Sequence, residues 1–271
     1  MVASKREPNS TETTPSGIEI SYFDSVGVDG LPQQRRYLVN GDRVANVTTV
    51  LGVLAKEALL DWAAKLATEG KRWKDVRNEA GERGHNTHHL LLQLLTGDDA
   101  SLAALPEDHR AHGQGAFKFV RTRKPQVIET ERMVASAEHR YAGRFDLLAD
   151  IDGIRTLADA KTLTRWAYKR KDGELTTEKY PPYDENLLQL DLYQGGLIES
   201  GYEPAERGLI VRLGPDGNFD ETYVELEPER GLAILHAYRA KSAAEKTLKA
   251  ARKAQEVRET ADAEIEQMVV A

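Results

Sequence analysis

Asp146, Asp159 and Lys161 stand on either side of Asp152 and Gly153, and that dipeptide decides which of them can meet. Asp-Gly is a strong signal for a two-residue hairpin loop, because a type I′ turn needs positive φ at both central positions. With those two residues as the loop, Ile151 faces Ile154, Asp150 faces Arg155 and Asp146 faces Asp159. Directly opposed residues have Cβ atoms about 4.5–5.5 Å apart, where like charges repel. Two carboxylates offset that repulsion by sharing a divalent cation, since hard oxygen ligands suit Mg²⁺ or Mn²⁺. Lys161 projects from the same side as Asp159, where an ammonium can orient a water nucleophile or stabilise charge developing on a phosphate. The bland alternative is a solvated charged face, with Arg144 and Lys161 as diagonal partners of the two acids.

Strand alternation extends this picture to the flanking residues. Leu147, Ala149, Ile151, Ile154, Thr156, Ala158 and Ala160 fall on an apolar face, expected to be core. Arg144, Asp146, Leu148, Asp150, Arg155, Leu157, Asp159 and Lys161 fall on the other, expected to carry charge. Residues 126–136 read as one strand preceding the hairpin, and Glu131 on it is a supporting acid whose sheet face alternation leaves open.

Other polar groups recur at helical spacing. His85, His88 and His89 fall at i, i+3 and i+4, near one face of a helix, and three grouped imidazoles point to a ligand more than a lone one does. His109 and His112 are also three apart, and with a helix start before them they are expected on a solvated face. Gln189 and Tyr193, four apart among leucines, share a helix face, where packing plus a buried hydrogen bond is the ordinary role. After Lys161 comes a run in which Arg165, Lys169, Arg170 and Lys171 are interleaved with Trp166 and Tyr168. Such runs are usually solvated, but this combination also tracks a phosphate backbone and stacks on bases.

Gly143-Arg144-Phe145-Asp146, then Asp159-Ala160-Lys161, then Gln189 with Tyr193, resemble in that order the PD-(D/E)XK nuclease superfamily, specifically its RecB/Cas4-like exonuclease branch. The resemblance covers residues 81–193. It implies an α/β fold with a restriction-endonuclease-like core and one or two Mg²⁺ or Mn²⁺ ions held by His88, Asp146, Asp159 and the Ala160 carbonyl. His88 receives that role because Gly84 and His88 fit the family's Gly-x-x-x-His element; His85 and His89 do not. Lys161 would act on the water or the transition state, Gln189 and Tyr193 would organise the site, and Glu131 matches the family's upstream acid better than Glu129. The helical stretch from residue 47 resembles actinobacteriophage Cas4-like exonucleases, which implies a phage setting.

Composition narrows the alternatives. The chain has 271 residues, 40% hydrophobic and 30% charged, as expected of an ordinary globular protein. No apolar run approaches a membrane span and the N-terminus lacks a signal-peptide core, so the expected location is the cytoplasm, of the host if phage-encoded. There is no cysteine, which excludes disulfides, thiolate zinc sites and iron–sulfur clusters. That departs from Cas4 proteins, whose family carries a cysteine-bound cluster. The net charge of −7 advertises no general affinity for nucleic acid, so DNA contact would have to come from local patches. Neither a phosphate-binding P-loop nor a dinucleotide fingerprint is present, which speaks against an ATP-driven motor.

The expected organisation is a disordered tail at 1–17, an N-terminal β element at 18–45 acting as a structural flap, and a nuclease domain at 46–227. Its central mixed sheet would combine the 143–161 hairpin, the strand before it and a 208–226 hairpin, flanked by helices. A long C-terminal helix at 228–271 follows, rich in Lys and Arg between 239 and 258. The expected function is metal-dependent DNA exonuclease activity in phage recombination, repair or end processing. One alternative is a non-catalytic DNA-binding protein on the same fold, whose last helix recruits a recombinase or single-strand annealing protein. The other is a phosphatase of small substrates.

Overall fold

The computed structural model describes residues 8–24, 35–54, 57–166 and 181–270. Its strands are β1 (Ser10–Thr13), β2 (Glu19–Phe23), β3 (Arg36–Val39), β4 (Asp42–Asn46), β5 (Gln126–Thr130), β6 (Met133–Ser136), β7 (Tyr141–Arg144), β8 (Leu147–Ile151), β9 (Ile154–Thr162), β10 (Arg207–Leu213) and β11 (Phe219–Val224). Its helices are α1 (Val47–Val50), α2 (Glu57–Thr68), α3 (Trp73–Thr96), α4 (Arg110–Arg123), α5 (Asp184–Glu199) and α6 (Pro228–Val270). The architecture is mixed α/β, with two sheets flanked by helices and a long C-terminal helix.

The Asp152–Gly153 turn forms as its chemistry requires, with φ of 55° and 78°. It sets the β8–β9 register from Ile151↔Ile154 through Asp150↔Arg155 to Leu147↔Ala158. There the ladder stops, so Asp146 lies just before β8 and not on a paired rung opposite Asp159. β9 then pairs in parallel with β10, and β10 turns back into β11, giving a mixed sheet in the order β11-β10-β9-β8-β5.

The expectation of one core face and one charged face fails on this sheet. Leu147, Ala149, Ile151, Ala158 and Ala160 pack with Leu91 of α3 and Phe119 of α4. On the other face Leu148 and Leu157, 1% and 0% exposed, pack with Leu190 and Leu192 of α5. The physical reason is the parallel β9–β10 pair, which cannot be closed by a tight turn and is joined by a connection containing α5.

The expected single strand at 126–136 is broken in two. β5 pairs with β8 in the five-stranded sheet, whereas β6 pairs with β7 in a second sheet of order β1-β2-β3-β4-β7-β6. Glu131 sits at the break with φ of 48°, a left-handed conformation uncommon for a residue with a side chain. The chain crosses between the sheets again at Phe145 and Asp146. The two crossings are tied together, Glu131 N–H donating to the Asp146 carbonyl at 3.1 Å and Phe145 N–H to the Arg132 carbonyl at 3.2 Å.

The N-terminal β element is therefore no separate flap, since β4 pairs in parallel with β7. Nor is the polar segment before it unstructured throughout: β1 pairs with β2 and Ser16 N–H donates to the Ser200 carbonyl. Pairing with β2 supplies the backbone partners that composition alone does not reveal. α6 is as long as expected, anchored by buried Leu235 and by Gly231 against Leu192. Among the described residues no helix is long and apolar enough to cross a membrane.

Candidate active site

The crossings between the sheets bring Glu131 and Asp146 together, and α3 adds His88 beside them. One ligand atom from each of the three lies within 4.8 Å of the others. His88 Nε2 is 2.8 Å from the Ala160 carbonyl oxygen, and Asp146 Oδ2 accepts the Ala160 N–H at 2.8 Å, so the Ala160 peptide is gripped from both sides. With Nε2 donating, a neutral His88 ring turns its Nδ1 lone pair towards Asp146 Oδ2, 3.5 Å away. A lone pair facing a carboxylate calls for a proton or a cation between them.

Asp159 lies outside that trio but close enough to feel both Asp146 and His88. It is 1% exposed, and burial pushes its carboxyl up to about 6 against the pull of Lys161. The Lys161 ammonium stands 2.6 Å from Asp159 Oδ2; apart from this ion pair both carboxylate oxygens are buried without a hydrogen-bond donor among the described residues. Burial works against the ammonium, yet Asp159 and Asp146 outweigh it and hold the Lys161 pKa above its ordinary value. Glu131 is shifted upward by burial and by Asp146, opposed by Arg144, whose Nε is 2.9 Å from its carboxylate.

α5 completes the arrangement. Lys161 Nζ donates to Gln189 Oε1 at 3.2 Å, and Gln189 Nε2 donates to the Tyr193 hydroxyl at 2.9 Å. Tyr193 is buried against Gly143, where a Cβ would fall 2.6 Å from the ring and 2.9 Å from Val47 Cγ2. Only a glycine admits the tyrosine there.

The donor set fits a hard divalent cation: carboxylates, an imidazole and a peptide oxygen around a point of unmatched negative charge. His88, Glu131, Asp146, Asp159, Ala160, Lys161, Gln189 and Tyr193 are thus brought into one neighbourhood, in which Asp146 adjoins His88, the Ala160 peptide and Glu131. His85 and His89 are exposed on the outer side of α3. Arg165 is exposed beyond β9, whereas Trp166 packs on the β10–β11 turn, where a Cβ on Gly214 would meet its ring at 2.1 Å. Lys169, Arg170 and Lys171, with Tyr168, lie outside the described residues.

The expectation for His109 and His112 is overturned, because they are only 5% and 4% exposed. His112 Nε2 bonds the Leu163 carbonyl at 2.7 Å and His109 Nδ1 the Asn86 amide at 3.1 Å, so the pair fastens the start of α4 to α3 and to the end of β9. Burial lowers the His112 pKa. Two arginines flank the site: Arg144, which the sequence offers only as a diagonal partner of the acids, and buried Arg212, level with Lys161 on β10 and ion-paired with Asp220, which it does not single out. A motif with Arg144 inside it was the available signal for the first, and the parallel register that places the second is not local in sequence.

No protein family and no curated protein matches the chain by sequence. Among solved structures, an alkaline exonuclease from Laribacter hongkongensis is 16% identical over 79% of this chain and 94% of its own, with a TM-score of 0.38. The same exonuclease in complex with dAMP is 18% identical over the same shares, also with a TM-score of 0.38. The protein SSO0001 is 18% identical over 46% of this chain, with a TM-score of 0.29, and the chain spans about half of that protein's length, 53%. Likenesses this distant say nothing of chemistry, which rests on the residues above.

Proposed function

We propose that this chain is a divalent-metal-dependent deoxyribonuclease, an exonuclease hydrolysing phosphodiester bonds at DNA ends in phage-type recombination, repair or end processing. The observation that carries the reading is the meeting of His88, Glu131 and Asp146 within 4.8 Å, beside the buried Asp159–Lys161 pair. Mg²⁺ or Mn²⁺ bound by these three, with Asp159 and the Ala160 carbonyl as further oxygens, would supply a lowered pKa for the attacking water and neutralisation of the scissile phosphate.

The chain's own groups divide the remaining work. An ammonium has three donors, and Lys161 directs one at Asp159 and one at Gln189, which leaves one for the attacking water or a phosphate oxygen. Gln189 and Tyr193 fix the direction of that donor, and the Ala160 N–H holds Asp146 Oδ2 in place beside His88. Exposed Arg165 suits contact with the DNA backbone further from the reaction.

End-labelled linear duplex, single-stranded and closed circular DNA, each with Mg²⁺, Mn²⁺ or EDTA, test the reading. Metal-dependent loss of linear but not circular DNA, absent in Lys161→Ala, is the expected result. A second reading is favoured by α6, where residues 243–257 are exposed and Lys246, Lys249, Arg252 and Lys253 outnumber Glu245 and Glu256. In it the chain binds DNA or recruits a recombinase or single-strand annealing protein without cleaving, and no loss of any substrate would favour it.

A further inference from the structure

Two cations are ion-paired with the acidic cluster. Lys161 is paired with Asp159, and Arg144 is paired with Glu131. Arg144 is the last residue of β7, two positions before Asp146, so its backbone is fixed relative to the ligand set. Its guanidinium carbon lies 5.6 Å from the centroid of the Tyr22 ring, and Tyr22 is itself packed on Tyr37 at 5.2 Å. The side chain is 34% exposed. Among the described residues its Nε meets Glu131, and its two terminal nitrogens have no hydrogen-bond partner.

We propose that Arg144 is a phosphate-binding residue that exchanges Glu131 for DNA: its guanidinium neutralises Glu131 while no cation is bound, and turns to a phosphate beside the scissile bond once Glu131 serves as a ligand. The proposal rests on the metal-dependent nuclease reading and names a residue that reading does not use.

Charge supports the exchange. Taken by themselves, Glu131, Asp146 and Asp159 against Lys161 and Arg144 carry one net negative charge, which a divalent cation converts to one net positive charge, and Arg35 adds to the positive side. That sign attracts a phosphodiester. Without Arg144 the loaded site loses one positive charge and the attraction weakens.

Shape supports it as well. The two terminal nitrogens of a guanidinium form a fork that matches two phosphate oxygens, which a lysine cannot reproduce. Tyr22 supplies a platform that keeps the guanidinium in place after it lets go of Glu131, since a cation over an aromatic face is attracted by the ring. The six-stranded sheet then has a part in the chemistry, through Tyr22 of β2 and Arg144 of β7.

The competing account is that Arg144 only holds Glu131 in position. Calorimetric titration of Mn²⁺ into DNA-free protein separates the two. The exchange predicts that Arg144→Met binds Mn²⁺ more tightly, by about tenfold, because a cation competing for Glu131 is gone. It also predicts a fall in cleavage of about a hundredfold, with Arg144→Lys recovering only a small part. Tyr22→Leu, which leaves the ion pair intact, is expected to raise KM for DNA about fivefold with Mn²⁺ affinity unchanged. Thermal unfolding of each variant checks that it is folded. Weaker Mn²⁺ binding in Arg144→Met, or unchanged cleavage, overturns the proposal. Failure of the wild-type protein to bind Mn²⁺ or to cleave DNA sinks the nuclease reading instead.

Discussion

The two sheets contribute to the site in different ways. The five-stranded sheet delivers Asp159, Ala160 and Lys161 from an unbroken strand, with both faces packed under helices, so their relative positions follow from the ladder. Glu131 and Arg144 come instead from the crossings between the two sheets, one at a left-handed backbone kink between β5 and β6 and one at the end of β7. Groups on the ladder are rigid and reinforced by α5, whereas groups at the breaks owe their position to the two hydrogen bonds that tie the crossings together. Residues at such irregular points cost backbone strain, and persist where the surroundings over-determine them.

The largest expected effect lies on the ladder. Lys161→Met should lower cleavage about a thousandfold, because the donor next to the reacting phosphate is lost; normal turnover would remove the five-stranded sheet from the chemistry. Glu131→Gln tests the crossing between the sheets. It should reduce cleavage about a hundredfold and abolish the rise in melting temperature that Mn²⁺ gives the wild-type protein. An unaltered Mn²⁺ shift would confine the metal site to the five-stranded sheet, α3 and Asp146.

Gly143→Ala probes the seam between the two. A Cβ 2.6 Å from the Tyr193 ring forces the ring or the strand to move, so a loss of about 1–3 kcal/mol in a urea titration is expected. A neutral substitution would mean that Tyr193 can move away at no cost. The smallest effect concerns pH. Asp159 has its pKa raised from 3.8 to about 6 in the folded protein, so it is charged above that value and takes up a proton below it. Protons then compete with the cation, and Mn²⁺ affinity should fall about tenfold per pH unit below that point, a dependence that Asp159→Asn weakens. In the metal-free protein the sign is the reverse: stability from this group is present at low pH and declines as pH rises through about 6.

Local periodicities made part of the site legible. Asp152 and Gly153 announced the β8–β9 register, and the four-residue spacing of Gln189 and Tyr193 put them on one helix face, where they now form one hydrogen-bond chain to Lys161. What escaped depends on contacts distant in the chain. The burial of Leu148 and Leu157 follows from α5 crossing the sheet, and the burial of His109 and His112 follows from α4 meeting α3 and Leu163. The break at Glu131 carries no glycine or proline to mark it, so residues 126–136 read as a continuous strand. The same break brings Glu131 beside His88 and Asp146 as a candidate ligand, and Asp146 lies off the rung that alternation assigns to it.

The central claim, that the two crossings between the sheets and α3 together hold one cation, is tested most directly by anomalous scattering from crystals soaked in Mn²⁺. The account predicts a peak ligated by His88, Glu131 and Asp146 together. A peak bound by Asp146 and Asp159 without Glu131, or no peak at this cluster, would contradict it.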